Sequence, residues 1–119
     1  MDNKYSVEII ETVGSMNSNI FKKMAERGDI TSTKLEEVIG ATVEINGYAW
    51  CNIKTEEKEF NMGYYSTDLG IISTGSEIFK DSVKDYFGEV KKFNIVKIKT
   101  KKGNTYKVSP VLEINEDAE

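Results

Sequence analysis

The sequence predicts a mainly β chain: a five-stranded barrel with one helix between its third and fourth strands, and an N-terminal strand-and-helix extension. Three observations carry this. Residues 41–54 (ATVEINGYAWCNIK) alternate side chains with the two-residue period of a pleated strand. Residues 77–87 instead carry Ile78, Phe79, Val83, Tyr86 and Phe87 at helical spacing, opposite Glu77, Lys80, Asp81, Lys84 and Asp85. Lys101-Lys102-Gly103-Asn104 then separates two β-rich runs as a hairpin turn does, with Gly and Asn placed for positive φ.

Taken in order, residues 4–13 (KYSVEIIETV) are rich in β-branched and aromatic side chains. Tyr5, Val7 and Ile9 alternate, and Ile10 and Val13 break the alternation, which predicts an irregular strand. Residues 18–27 predict a short helix with Ser18 as N-cap, a stripe of Ile20, Phe21 and Met24, and Gly28 just past its end. Thr33 and Glu36 have capping-box spacing ahead of Leu35, Val38 and Ile39, and Gly40 stops that turn of helix. In the long strand, Val43, Ile45, Gly47, Ala49, Cys51 and Ile53 share one face, and Tyr48, Trp50 and Lys54 lie on the other. Residues 59–66 place Phe60, Met62 and Tyr64 on one face and Tyr65 on the other, pointing outward. Residues 71–73 form a short third strand, and Thr74 with Glu77 suits the start of the helix that Gly88 ends. Residues 91–100 and 104–114 are the last two strands, with Pro110 marking an edge or a bulge.

Strand, strand, strand, helix, strand, strand is the element order of the oligonucleotide/oligosaccharide-binding (OB) barrel. The chain then divides into an arm over 1–40, a barrel over 41–114 and an acidic tail over 115–119. At 119 residues, one domain with one core is the expectation.

Composition narrows the chemistry. There is no histidine, which excludes histidine general acid–base work and histidine metal ligation, and the single Cys51 cannot form an intrachain disulfide or a cysteine-built zinc site. Cys51 reads as a small buried filler. The acids on residues 77–85 read as salt-bridged helix surface with Lys80 and Lys84, not as a metal site. No phosphate loop or metal motif is present, so no catalytic residue and no cofactor are assigned, and the expectation is a protein that is not an enzyme. No apolar run is long enough to cross a bilayer and no secretory signal opens the sequence, which points to a cytoplasmic location with no membrane partner.

Charge is polarised. The net charge is −4, yet residues 91–107 hold seven lysines and no acid, whereas residues 113–119 hold four acids and no base. Such a distribution favours a polyanion on one face. Aromatic rings beside a basic groove are the parts of a single-strand binder, with bases on rings and lysines along phosphates. The candidate nucleic-acid-binding residues are therefore Tyr48, Trp50 and Tyr65 for stacking, with Lys54, Lys97, Lys99, Lys101, Lys102 and Lys107 for phosphates. The cations are fifteen lysines and Arg27, which suits backbone contact with little sequence preference. The competing readings are that residues 1–40 cover Tyr48 and Trp50 as a second small core, and that the lysines only protect an edge hairpin.

The stretch from Gly40 to Leu112 resembles small single-stranded DNA-binding proteins of phages and conjugative plasmids of Gram-positive bacteria, including those of protein-primed phages. The matching pieces are the Thr-Val-Glu-Ile-Asn-Gly-Tyr-Ala strand after Gly40 and Tyr65-Ser66-Thr67 before a Gly turn. Ser-Thr-Gly-Ser-Glu-Ile-Phe at the helix start and Lys-Lys-Gly-Asn-Thr-Tyr over 101–106 complete the set. The resemblance implies an OB-fold protein that coats single-stranded DNA during replication or transfer in a bacterial host; the residues themselves leave RNA open as the alternative nucleic acid. It also implies self-association through the arm over 1–40. The chain departs from that pattern in its acidic balance and in a groove without arginine. The alternative is a phage or plasmid interaction module that acts on a host protein without touching nucleic acid.

Overall fold

The computed structural model describes residues 6–16, 18–28 and 30–112. Tyr5, the side chains of Ser18 and Ile20, and the acidic tail lie outside the described residues. Seven strands, two α-helices and a 3₁₀ turn are present. They are β1 (Ser6–Gly14), α1 (Ser18–Arg27), β2 (Thr33–Lys34), the 3₁₀ turn (Leu35–Val38), β3 (Thr42–Lys54), β4 (Glu59–Thr67), β5 (Gly70–Thr74), α2 (Glu77–Tyr86), β6 (Lys92–Thr100) and β7 (Gly103–Pro110). To the five strands expected in the barrel and the one expected in the N-terminal extension the structure adds a seventh, β2, and both ends of the N-terminal segment join the sheet: β1 pairs with β3, and β2 pairs in parallel with β5. The strand order is β2-β5-β4-β3-β6-β7, giving a curled, mixed sheet.

β3 organises the molecule. It has thirteen residues, on the order of 40 Å at ~3.3 Å per residue. Along one edge it pairs with β4 from Ile45 to Lys54. Its other edge is shared: β6 takes Thr42–Glu44 and β1 takes Gly47–Lys54. The register shifts between Ile45 and Gly47. A bulge inverts the inside–outside alternation beyond it, so Val43 and Ile45 share a core with Tyr48 and Trp50, not with Ala49, Cys51 and Ile53 as the unbroken alternation predicts. The break in β1 that Ile10 and Val13 suggest is likewise a register shift between Ile9 and Glu11, which turns Ile10 out.

Two cores result. The main one joins Tyr48, Trp50, Tyr65, Ile72, Phe79, Val83, Phe93, Ile95 and Val108 under α2. The second lies on the opposite face of β3, where Phe21 of α1 covers Val7, Ala49, Cys51 and Ile53. In α1 the inward face runs through Phe21 and Ala25, and Met24, expected in the stripe, is exposed. In α2, Phe79 and Val83 are buried, but Ile78 and Tyr86 lie outside the packed face.

The termini of these elements differ from the capping-box readings. Thr33 belongs to β2, and the 3₁₀ turn starts from Lys34 without a side-chain cap. Ser76, not Thr74, caps α2: its Oγ accepts from Phe79 N at 3.1 Å, while Thr74 Oγ1 accepts from Ser76 N. In the β6–β7 turn only Gly103 takes positive φ (125°), and Asn104 is already in β7 opposite Lys99. Pro110 ends β7, which is the outer strand of the sheet. That outer edge is closed locally by α2: Ser82 Oγ accepts from Val108 N at 3.0 Å and donates to Phe79 O at 2.8 Å. Among the described residues no helix is long and apolar enough to cross a membrane.

Candidate nucleic-acid interface

The three aromatics expected to stack bases are inside the protein. Tyr48 and Tyr65 are fully buried and Trp50 is 3% exposed. Tyr65 does lie on the face of β4 opposite Phe60, Met62 and Tyr64, but that face is the main core, not solvent. Tyr48 and Tyr65 are cross-strand partners with ring centroids 5.4 Å apart, and Phe79 meets Tyr65 edge-on at 5.0 Å. Trp50 is opposite Gly63, where a Cβ would lie 3.0 Å from Trp50 Cε3 and 2.8 Å from the Tyr65 hydroxyl. The missing side chain makes room for both rings. The ammonium of Lys80 sits 4.7 Å above the indole, closing it from outside as a cation–π lid.

Above these rings β1 and α2 are tied by Lys84 Nζ and Glu11 Oε2 at 2.8 Å. Among the described residues neither the Tyr48 nor the Tyr65 hydroxyl makes a hydrogen bond of good geometry, although the Glu11 carboxylate acts on the Tyr48 hydroxyl as an acceptor. Burial, with the charges of Glu11 and Asp81 adding to it, pushes the Tyr48 phenol up to about 12. Burial also raises Tyr65, and more strongly. Both stay neutral at physiological pH. Burial raises the Cys51 thiol to about 11, which leaves it a packing residue without thiolate chemistry.

The lysines are placed differently. Lys97, Lys99, Lys101, Lys102 and Lys107 are all exposed on the β6–β7 hairpin. None has an ion-pair partner among the described residues. Alternation puts Lys97 and Lys99 on the face of β6 that carries Phe93 and Ile95, and Lys107 on the other face of the hairpin from Val108. β6 leaves β3 after Asn94 pairs with Thr42, so the hairpin continues beyond the end of the β3 ladder. Past Ile95, which exchanges backbone bonds with Gly40 and Ala41, the lysines have no core to cover. Lys54 is exposed at the other end of β3, opposite Ser6 and Glu59. The structure therefore gathers five of the six assigned lysines on one projecting hairpin and separates Lys54 from them.

Sequence reasoning missed three features near this hairpin. Tyr106 is half-buried opposite Lys97, the one aromatic within the strand pair beyond Phe93. Lys91 and Lys92 extend the basic surface to the hairpin base. They also line a groove of about 900 Å³ between the β3 bulge and the segment after α2, with Glu44, Asn46, Phe87 and Glu89. The lysine run itself pointed to Lys91 and Lys92. The groove comes from the bulge and has no signal in the alternation. A smaller, apolar recess of about 230 Å³ lies between α1 and the second core, lined by Val7, Ala25, Ile30, Ile53, Phe60 and Tyr64. No group of three or more possible metal-ligating side chains occurs among the described residues.

Compared with protein-family models, curated proteins and solved structures, the chain matches none.

Proposed function

We propose that the chain is a non-enzymatic single-stranded DNA-binding protein that coats DNA during phage or plasmid replication or transfer, and that the β6–β7 hairpin is its contact surface. The observation that carries the reading is the lysine hairpin: seven exposed lysines and no acid over residues 91–107, two at its base and five on the part that projects past the β3 ladder. An edge hairpin needs a lysine or two to prevent strand addition. Seven, on both faces and without an ion-pair partner among the described residues, make a surface of high positive potential in a chain of net charge −4. Lysine ammoniums neutralise phosphates without reading base edges, so affinity comes from counterion release and sequence preference is small. The pairing of β3 with β4, β4 with β5, β3 with β6 and β6 with β7, with α2 between β5 and β6, supports an OB-type barrel carrying that hairpin as its fourth-to-fifth-strand connection.

In this reading bases do not stack on Tyr48, Trp50 or Tyr65. Phosphates run along Lys97, Lys99, Lys101, Lys102 and Lys107, and Tyr106 is the aromatic within their reach. Titration of a labelled single-stranded oligonucleotide at rising salt tests it. The parent should bind with a steep salt dependence. Lys101→Glu with Lys102→Glu should weaken binding and lower the slope of log K against log salt by about 1–2. No salt-dependent binding by the parent at low salt would overturn the reading and leave the interaction-module alternative.

A further inference from the structure

We infer that the groove at the base of the lysine hairpin is a second, base-contacting part of the nucleic-acid interface, and that it prefers unpaired bases bearing an exocyclic amino group. This rests on the proposed DNA-binding function. The groove exists because β3 changes partners. β1 leaves its edge at Gly47 and β6 joins at Glu44, so Ile45 and Asn46 sit at a fork. Asn46 O is held by both the N–H and the hydroxyl of Ser15, at 3.1 and 3.2 Å. Lys91 O accepts from Ile45 N at 3.4 Å across the fork. These bonds fix the walls.

The lining differs in character from the hairpin. Lys91 and Lys92 bring two further cations to the groove at the base of the hairpin, with Lys92 on the face of β6 that is opposite Val108 and shared with Lys107. Beside them Glu44 and Glu89 present carboxylates for which no hydrogen bond or ion pair occurs among the described residues, and Asn46 presents an exposed amide. Phe87 supplies a half-buried ring. Carboxylates repel phosphates, so their place beside two lysines makes little sense for a strand bound by its backbone alone. They suit bases. A carboxylate accepts from the amino group of cytosine or adenine, an asparagine amide both donates and accepts, and a ring offers a stacking face. A volume of about 900 Å³ is of the size that holds small-molecule ligands, and a base must leave the duplex stack to put its ring on Phe87. Thymine has no amino group: its one donor, N3–H, is flanked by two carbonyl oxygens that repel a carboxylate.

The test compares oligo-dC, oligo-dT and an abasic strand of equal length, by anisotropy at fixed salt and slightly alkaline pH. The expected order is dC tightest, by about fivefold over dT, with the abasic strand, which also loses stacking on Phe87, weakest. Glu44→Gln with Glu89→Gln should bring the dC-to-dT ratio close to one while dT affinity holds or rises, with an unchanged thermal midpoint as the control for folding. Salt-sensitive binding in which dT equals or exceeds dC would overturn the groove assignment and leave the hairpin reading standing. Absence of binding to every strand would overturn both.

Discussion

At the scale of single residues, the hydroxyls of Tyr48 and Tyr65 are the costly features of the core. Each phenol is fully buried, and among the described residues the Tyr65 oxygen has no hydrogen-bond partner. A buried hydroxyl without a partner costs on the order of 1–3 kcal/mol of desolvation, so Tyr65→Phe should be neutral or stabilising, by up to about 1 kcal/mol in urea unfolding. The same groups set an alkaline limit. Their pKa values are raised above the ordinary 10.0 in the folded chain, Tyr48 to about 12, so the fold holds protons that the unfolded chain releases. Stability is full below pH 10 and falls as the pH rises through the window between the two values. The Tyr48→Phe, Tyr65→Phe double variant should flatten that decline, which melting temperatures across alkaline pH would show. A parent whose stability stays level through that window would show that the phenols are hydrated.

Secondary elements divide into those whose ends depend on their own residues and those whose place depends on a partner. α2 starts at Ser76 through an ordinary N-cap bond, and its Ser82 covers the one backbone N–H that Val108 turns outward from β7. Ser82→Ala would leave that buried donor unpaired. It should cost about 1–2 kcal/mol and raise hydrogen exchange at Val108 more than at its neighbours, which exchange measured residue by residue would detect. The order of elements from residue 41, the β6–β7 turn and the outer position of β7 were all legible in the sequence, because each has a local signature in period, turn residues or proline. The face assignment of β3 was not. Alternation says which residues share a side, but a bulge at Ile45–Gly47 exchanges the sides, and nothing in VEINGYAW marks it apart from the glycine. One signal was available: both faces of β3 carry apolar groups, Tyr48 and Trp50 on one and Cys51 and Ile53 on the other. A strand apolar on both faces is covered on both. That excludes solvent-facing stacking rings, whereas the exposure of the lysines followed from charge alone.

At the scale of the whole molecule, the aromatic core and the cationic surface are separate regions. The rings lie where β3, β4 and α2 meet, under the Glu11–Lys84 tie and the Lys80 lid. The hairpin leaves β3 at Thr42, and its lysines lie beyond that point. A strand bound to the hairpin cannot reach Trp50 unless α2 lifts off, and that would expose Phe79 and Val83, both buried side chains worth about 1.5–3 kcal/mol each. Lysine–phosphate contacts at the hairpin tip provide no force in that direction. Trp50, the only tryptophan, should therefore be a silent reporter. Anisotropy of a labelled oligonucleotide should saturate while Trp50 emission keeps its intensity and wavelength, and acrylamide should quench the indole equally poorly with and without DNA. Lys80→Ala supplies the contrast: it removes the lid over the ring, so quencher access should rise although DNA affinity is unchanged. Strong quenching of the parent by DNA would instead mean that binding opens α2, and would return Trp50 and its neighbours to the contact surface.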